Sequence, residues 1–183
     1  MRERRIVVIG TSGSGKTTLA KTLARRLGLK YVELDELHWA PDWVEVPDEL
    51  MRRKLKEEVA GEAWVVDGNY VRMRDQIWSR AELIVWLNYP FRVVFWRALR
   101  RTIGRILRSE TLWHGNKESW RMLFSKESIM LWVIQSHFRR ASQYGSLLLG
   151  PEASHVKLIR FRSPREADRW LETVRPLRVR EEA

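Results

Sequence analysis

Short, mostly apolar runs alternate along this chain with longer stretches in which apolar residues recur at every third or fourth position. The short runs are Ile6-Val7-Val8-Ile9, Lys30-Tyr31-Val32-Glu33-Leu34, Trp64-Val65-Val66, Leu83-Ile84-Val85-Trp86-Leu87 and Val156-Lys157-Leu158-Ile159-Arg160-Phe161. Runs of this kind, rich in Val, Ile and aromatic residues, read as strands, and the Leu83 run is apolar throughout, as when helices cover both faces. Between them lie amphipathic patterns. Leu19, Leu23 and Leu27, with Ala20 and Ala24 beside them, predict a helix ended by Gly28. Pro47 to about Ala60 predicts a second, with Leu55 and Val59 inward, and Phe91 to about Leu107 a third, with Val94, Ala98, Thr102 and their neighbours on one face. A fourth runs from Glu127 to about Tyr144 and is expected to bury Ile129, Leu131, Trp132, Val133 and Phe138. The last opens on the capping box Ser163-Pro164-Arg165-Glu166 and buries Ala167, Trp170, Leu171 and Val174. Strands alternating with helices predict an α/β domain, with the tail from Pro176 to Ala183 charged and frayed.

The first strand leads into Gly10-Thr11-Ser12-Gly13-Ser14-Gly15-Lys16-Thr17, which fits the phosphate-loop pattern G-x-x-x-x-G-K-[ST] at every fixed position, with Thr18 starting the helix that follows. Glycines at these places let consecutive backbone N–H groups close around a phosphate at a helix N-terminus, where the dipole also favours an anion. Lys16 then reaches the β- and γ-phosphates, and the Thr17 hydroxyl is a candidate ligand for the bridging Mg²⁺. A nucleotide-phosphate site is therefore expected here.

In open α/β sheets ligands bind beyond the C-terminal ends of the strands, so carboxylates placed there become candidates. Asp35 is expected to stand at the end of the second strand, either to take a proton from an acceptor hydroxyl or to hold a water of the Mg²⁺ shell. Asp67 closes the Trp64 run ahead of Gly68, in the manner of a Walker B strand that supports the metal. Trp39 and Trp43 either wall an acceptor pocket or simply pack, while Asn69, Tyr70, Arg72, Arg74 and Arg80 follow on the same edge, to grip an acceptor or to stand in solvent. His38, a lone histidine, reads as structural.

The third helix carries Arg97, Arg101, Arg105 and Arg108 at helical spacing. Guanidinium forks stabilise the charge that spreads over a transferred phosphoryl group, and an acid-paired or solvated face is the alternative. From about residue 109 to 127 the periodicity loosens around Trp113-His114-Gly115-Asn116-Lys117-Glu118, which predicts a lid.

Composition narrows this only slightly. The 183 residues, 44% of them hydrophobic, suit one globular domain. The absence of Cys removes disulfides and thiolate chemistry, and Ile129–Ile134 is far too short an apolar run to span a bilayer. With no secretory pattern at the start, the cytoplasm is the expected location, and no membrane is expected as a partner. The net charge of +11 favours anionic ligands, whether nucleotides or nucleic acid, although no nucleic-acid module is recognisable. Oligomeric state is not readable.

The phosphate loop, Glu33-Leu34-Asp35-Glu36-Leu37-His38-Trp39, Val66-Asp67-Gly68-Asn69-Tyr70, Leu87-Asn88-Tyr89-Pro90 with Arg97 and Arg101, and Gly115-Asn116-Lys117-Glu118 together resemble the adenylate-kinase-related proteins of the topology modulation type. The resemblance spans nearly the whole chain. It implies the three-layer P-loop kinase fold, a five-stranded parallel sheet in the order 2-3-1-4-5 with a helical lid, and use of ATP and Mg²⁺. By position it makes Lys16 and Thr17 the phosphate-loop residues, Asp67 the Asp of the Asp-Gly turn, and Arg97 and Arg101 the arginines bounding the lid. The chain departs from adenylate kinase in its lid and in having Asn69-Tyr70 where that enzyme has a phenylalanine-proline-arginine turn. The expected activity is transfer of the γ-phosphoryl to a small acceptor, a nucleotide or nucleoside among the candidates, with catalytic roles for Lys16, Asp35, Arg97 and Arg101. Asp35, Trp39, Asn69 and Tyr70 are the candidate acceptor contacts. A nucleic-acid-associated NTPase and a nucleotide-binding protein with little turnover stand as alternatives.

Overall fold

The computed structural model describes residues 3–125, 128–148, 150 and 153–175, so the tail from Pro176 and the expected helix start at Glu127 lie outside the described residues. Five strands, β1 (Arg5–Gly10), β2 (Lys30–Glu33), β3 (Trp64–Asp67), β4 (Leu83–Leu87) and β5 (Lys157–Phe161), form one parallel sheet in the order β2-β3-β1-β4-β5, as the resemblance implies. Alternate residues of each strand point to opposite faces. Ile6, Val8, Val65 and Val85 pack with α1 (Lys16–Leu27), the inner face of α5 (Phe91–Leu107) and Ala167 of α8 (Pro164–Thr173). Val7, Ile9, Val66 and Ile84 pack with α3 (Asp48–Glu58) and α4 (Arg74–Trp78), a short helix not evident in the pattern. These two apolar layers fix the sheet, and the register sets Val8 beside Asp67 and Gly10 beside Leu87. The phosphate loop and the end of β3 therefore share one edge.

Most predicted boundaries hold within a residue or two. Gly28 ends α1 in the left-handed conformation (φ 65°), its N–H donating to Ala24 O. Ser163 accepts from the Glu166 N–H at 3.4 Å while Glu166 reaches back to the Arg162 N–H at 2.8 Å, so the box closes α8 as expected.

Three readings need correction. β2 stops at Glu33 and the chain turns at once into α2 (Leu34–His38), so Asp35 lies in the first helical turn and not at a strand end. Leu34 is the reason: its side chain is buried against Gly68, where a Cβ would come within 2.7 Å. The fourth predicted helix is α7 (Ile129–Leu147), and it buries Met130, Val133 and Tyr144. Leu131, Trp132 and Phe138, expected inside, are 41%, 41% and 67% exposed, because the packed face follows Met130, Val133 and His137. The stretch expected to be patternless contains a 3₁₀ turn (Trp113–Gly115) and α6 (Trp120–Leu123).

The path of α7 matters for the site. Met130 and Val133 belong to one apolar layer, whereas Tyr144 and Leu148 belong to the other. The helix thus crosses the edge of the sheet at the strand C-termini, and the Tyr144 hydroxyl reaches Asn69 O, just beyond β3, at 3.5 Å.

Candidate active site

The phosphate loop is held from three sides. Gly13 has φ 86° and lies so close to α5 that a Cβ would sit 2.6 Å from Val94 O and 2.8 Å from Ala98 Cβ, so no other residue fits there. Gly15 (φ 94°) starts α1, leaving the helix's first N–H groups free for an anion. Asn69 grips Gly10 with both ends of its amide: Oδ1 accepts from the Gly10 N–H at 3.0 Å and Nδ2 donates to Gly10 O. Asn69, a candidate acceptor contact, thus has both ends of its amide engaged as a clamp on the loop.

Lys16 is half-buried, and the desolvation of its ammonium pushes the pKa down while the Asp67 and Asp35 carboxylates pull it back up. Asp67 is 3% exposed at the end of β3. Its Oδ2 accepts from the Thr17 hydroxyl at 2.5 Å and from the Tyr31 hydroxyl at 3.4 Å; its Oδ1 is buried with no partner among the described residues. Burial raises the Asp67 pKa to about 6, against the opposing pull of Lys16. A buried carboxylate with a free oxygen beside a threonine hydroxyl suits a hard divalent cation shared with phosphate oxygens, so these residues fit Mg²⁺.

The arginine row on α5 divides. Arg97 donates to Ser14 O at 3.4 Å and Arg101 to Ser12 Oγ at 3.3 Å, both on the phosphate loop. Burial depresses the Arg101 pKa, with the nearby Glu118 and Asp35 carboxylates raising it. Arg105 pairs with Glu118 at 3.2 Å and with Glu110 at 3.6 Å, and Arg108 is exposed. The acid-paired alternative therefore holds for one member of the row. The later arginines are also engaged elsewhere: Arg72 pairs with Asp48 at 2.6 Å and Arg80 with Glu62 at 3.0 Å.

Beyond β2 and β3 the Tyr70 hydroxyl donates to Asp35 Oδ1 at 2.7 Å, and burial together with that carboxylate pushes the phenol pKa up. Trp39, half-buried, meets His38 edge-on at 4.6 Å and Trp43 at 5.5 Å. His38 is buried, which lowers its pKa, and approaches Glu45 at 3.8 Å, in keeping with a structural role.

Arg140 is the residue that the sequence pattern did not single out. It comes from α7, where the helix crosses the sheet edge, and lies within electrostatic reach of Lys16, Asp35 and Tyr70. Its guanidinium stands 5.1 Å over the Trp132 ring, burial lowers its pKa, and it has no salt-bridge partner among the described residues. The one sequence signal was its place a helical turn before Tyr144. Lys16, Arg101 and Arg140 face Asp35 and Asp67, a cationic balance ready for a polyanion.

Comparison with known proteins identifies the family and bears on the fold. Residues 6–112 match the family model described as an AAA domain, a P-loop domain. An adenylate-kinase-like protein of Thermococcus onnurineus is 38% identical over 71 residues, covering 35% of this chain and 39% of its own length. Shikimate kinase from Synechococcus elongatus is 30% identical over 99 residues, covering 46% of this chain and 52% of that enzyme. The chain thus spans about two fifths to one half of these curated relatives. The structure of Acinetobacter baumannii shikimate kinase in complex with shikimate superposes with a TM-score of 0.58 at 17% identity, over 93% of this chain and 92% of that one, which bears out the fold. No described helix is long and apolar enough to cross a membrane. The chain belongs to the AAA domain family of P-loop proteins, and its curated relatives include adenylate-kinase-like and shikimate kinase proteins.

Proposed function

We propose that the protein moves the γ-phosphoryl group of ATP to a small acceptor bearing a hydroxyl and an anionic group, and that it works as one domain whose residues 109–127 form a lid. The observation that carries this reading is a divided site. Lys16, Arg97 and Arg101 are gathered at the phosphate loop, while Asp35, Tyr70 and Arg140 form a second polar group within reach of Lys16. A simple NTPase needs no such second group.

In this reading the backbone amides of Gly10–Thr18 cradle the β- and γ-phosphates, and Lys16 offsets their charge. Asp35, held by Tyr70, takes the proton of the acceptor hydroxyl as the acceptor oxygen bonds to the γ-phosphorus. The bond from that phosphorus to the β–γ bridging oxygen breaks, and ADP keeps the electron pair. Arg97 and Arg101 stabilise the charge on the transferred oxygens, Arg140 binds the anionic group of the acceptor, and Trp39 borders the pocket. When bound, Mg²⁺ supplies neutralisation of the β- and γ-oxygens, with Thr17 and Asp67 the residues to hold it.

The relatives named for adenylate and shikimate suggest a nucleotide or a hydroxy acid, and Asp35 favours the hydroxyl class. The test is ATP consumption screened against nucleosides, nucleoside monophosphates and small hydroxy acids, followed by Asp35→Asn. Transfer to a hydroxyl should fall by about 10²–10⁴-fold in that variant. An acceptor whose phosphorylation is unaffected by Asp35→Asn but lost on removing Arg140 would instead be a phosphate. Duplex nucleic acid that stimulates ATP hydrolysis in a salt-sensitive way would replace the reading with a nucleic-acid-associated NTPase.

A further inference from the structure

Two loops on the acceptor side are built alike. In one, an antiparallel bridge joins Trp39 to Glu45 and the Ala40 N–H donates to Val44 O at 2.8 Å; in the other, a bridge joins Thr111 to Lys117 and the Leu112 N–H donates to Asn116 O at 2.7 Å. Both turn through a left-handed pair, Asp42-Trp43 (φ 58° each) and His114-Gly115 (φ 54° and 86°). The first loop follows α2 and Asp35, and the second belongs to the segment that the proposed function treats as the lid.

They are joined chiefly by one side chain. Asn116 is 4% exposed, and a buried amide is costly unless its donors and acceptor are used. Its Oδ1 accepts from the Trp43 N–H at 2.9 Å and its Nδ2 donates to Ala40 O at 2.9 Å, so it bonds across the neck of the opposite loop. The Trp43 Nε1–H donates to Lys117 O at 3.2 Å, and Trp43 meets Trp113 edge-on at 6.2 Å. Beyond the latch, Glu118 holds Arg105 and lies within electrostatic reach of Arg101, which donates to Ser12 of the phosphate loop. Hydrogen bonds and one charge coupling, Glu118 to Arg101, thus run from the acceptor loop through Asn116 to the phosphate loop.

We infer that Asn116 is a positioning residue that latches the lid to the acceptor loop, so that filling the phosphate loop also orders the acceptor pocket. The role rests on the proposed division into donor and acceptor halves, but the latch itself is measurable without any acceptor. Amide hydrogen exchange at Ala40, Val44 and Val46 in one loop, and at Leu112 and Asn116 in the other, reports each loop separately. Without nucleotide, Asn116→Ala should speed exchange in both loops by about tenfold or more, as expected for two lost hydrogen bonds. Asn116→Asp keeps the acceptor for the Trp43 N–H and loses the donor to Ala40 O, so it should give an intermediate effect and guards against a variant that fails to fold.

With Mg²⁺ and ATP added, the Ala40 and Val46 amides of the wild type should slow, and Asn116→Ala should lose that response while its ATP affinity by calorimetry changes less than about threefold. Acceleration confined to the Leu112 loop, or a nucleotide response at Ala40 that survives in Asn116→Ala, would overturn the latch. If wild-type protein binds no ATP, the proposed function fails, and the nucleotide-free exchange still decides on the latch.

Discussion

The proposed donor and acceptor halves of the site are built by opposite means. The phosphate loop owes its shape to its own glycines and to the helix it starts, and is held from outside by Asn69 on Gly10 and by Arg97 and Arg101 on Ser14 and Ser12. The proposed acceptor half draws on side chains from three separate places, Asp35 on α2, Tyr70 after β3 and Arg140 on α7, with Asn116 from beyond α5 holding the loop beside them. A cradle made of backbone amides can hold any triphosphate. A site made of distant side chains takes its specificity from how the elements pack, and can change acceptor without disturbing the donor.

The sharpest way to break this contrast is on the donor side. Lys16→Ala removes the one cation placed inside the loop, and turnover should fall by about 10²–10³-fold or more, the cost of losing a charge that meets the transition state. ATP consumption in a coupled assay measures it. A variant that retained its turnover would show that the loop does not hold the reacting nucleotide.

A smaller and differently shaped effect is expected on the other side. Arg140→Met keeps much of the side chain's length and its packing on Trp132 while deleting the charge. Acceptor-dependent turnover should fall by about 10–100-fold, the range of one charge-assisted hydrogen bond, through a raised acceptor KM and with ATP affinity unchanged. Loss of ATP affinity in its place would assign Arg140 to the donor half.

The same contrast explains what could be read from the chain and what could not. The loop, the strands and the Gly28 and Ser163 caps are each written in residues that lie close together, so spacing alone locates them. Asp67 was legible too, since a strand-ending carboxylate needs only the register Val8 to Asp67 to reach Thr17. Asp35 was placed at a strand end because nothing nearby announces that Leu34 must tuck against Gly68 and turn the chain into α2. The clamp that Asn69 places on Gly10 is not legible, because the two residues are 59 positions apart in sequence. Leu131, Trp132 and Phe138 were expected inside because apolar residues surround α7, and only its packing on α5 selects a face. Arg140 was missed for the converse reason: its use depends on where α7 crosses the sheet, and Asn116 depends on a loop remote in sequence.

The smallest predicted effect concerns stability and probes how tightly the donor half is sealed without nucleotide. Asp67 in the folded protein has a pKa of about 6 against 3.8 for an ordinary Asp, because burial disfavours its charged form more than Lys16 and Thr17 favour it. Between those two values the folded state holds a proton that the unfolded chain has released. This group therefore makes the ligand-free protein more stable as pH falls from about 6 toward 3.8, and less stable as pH rises through that window. That is the reverse of a carboxylate held by a salt bridge, whose contribution is lost on acidification. Asp67→Asn, which is neutral at every pH, should remove that part of the pH dependence and raise the ligand-free melting temperature at pH 8 by a few degrees, on the order of 1 kcal/mol of stability. Thermal melts of both proteins between pH 4 and 8 measure the difference, and parallel curves would show that the Lys16 ammonium already compensates the buried charge in full.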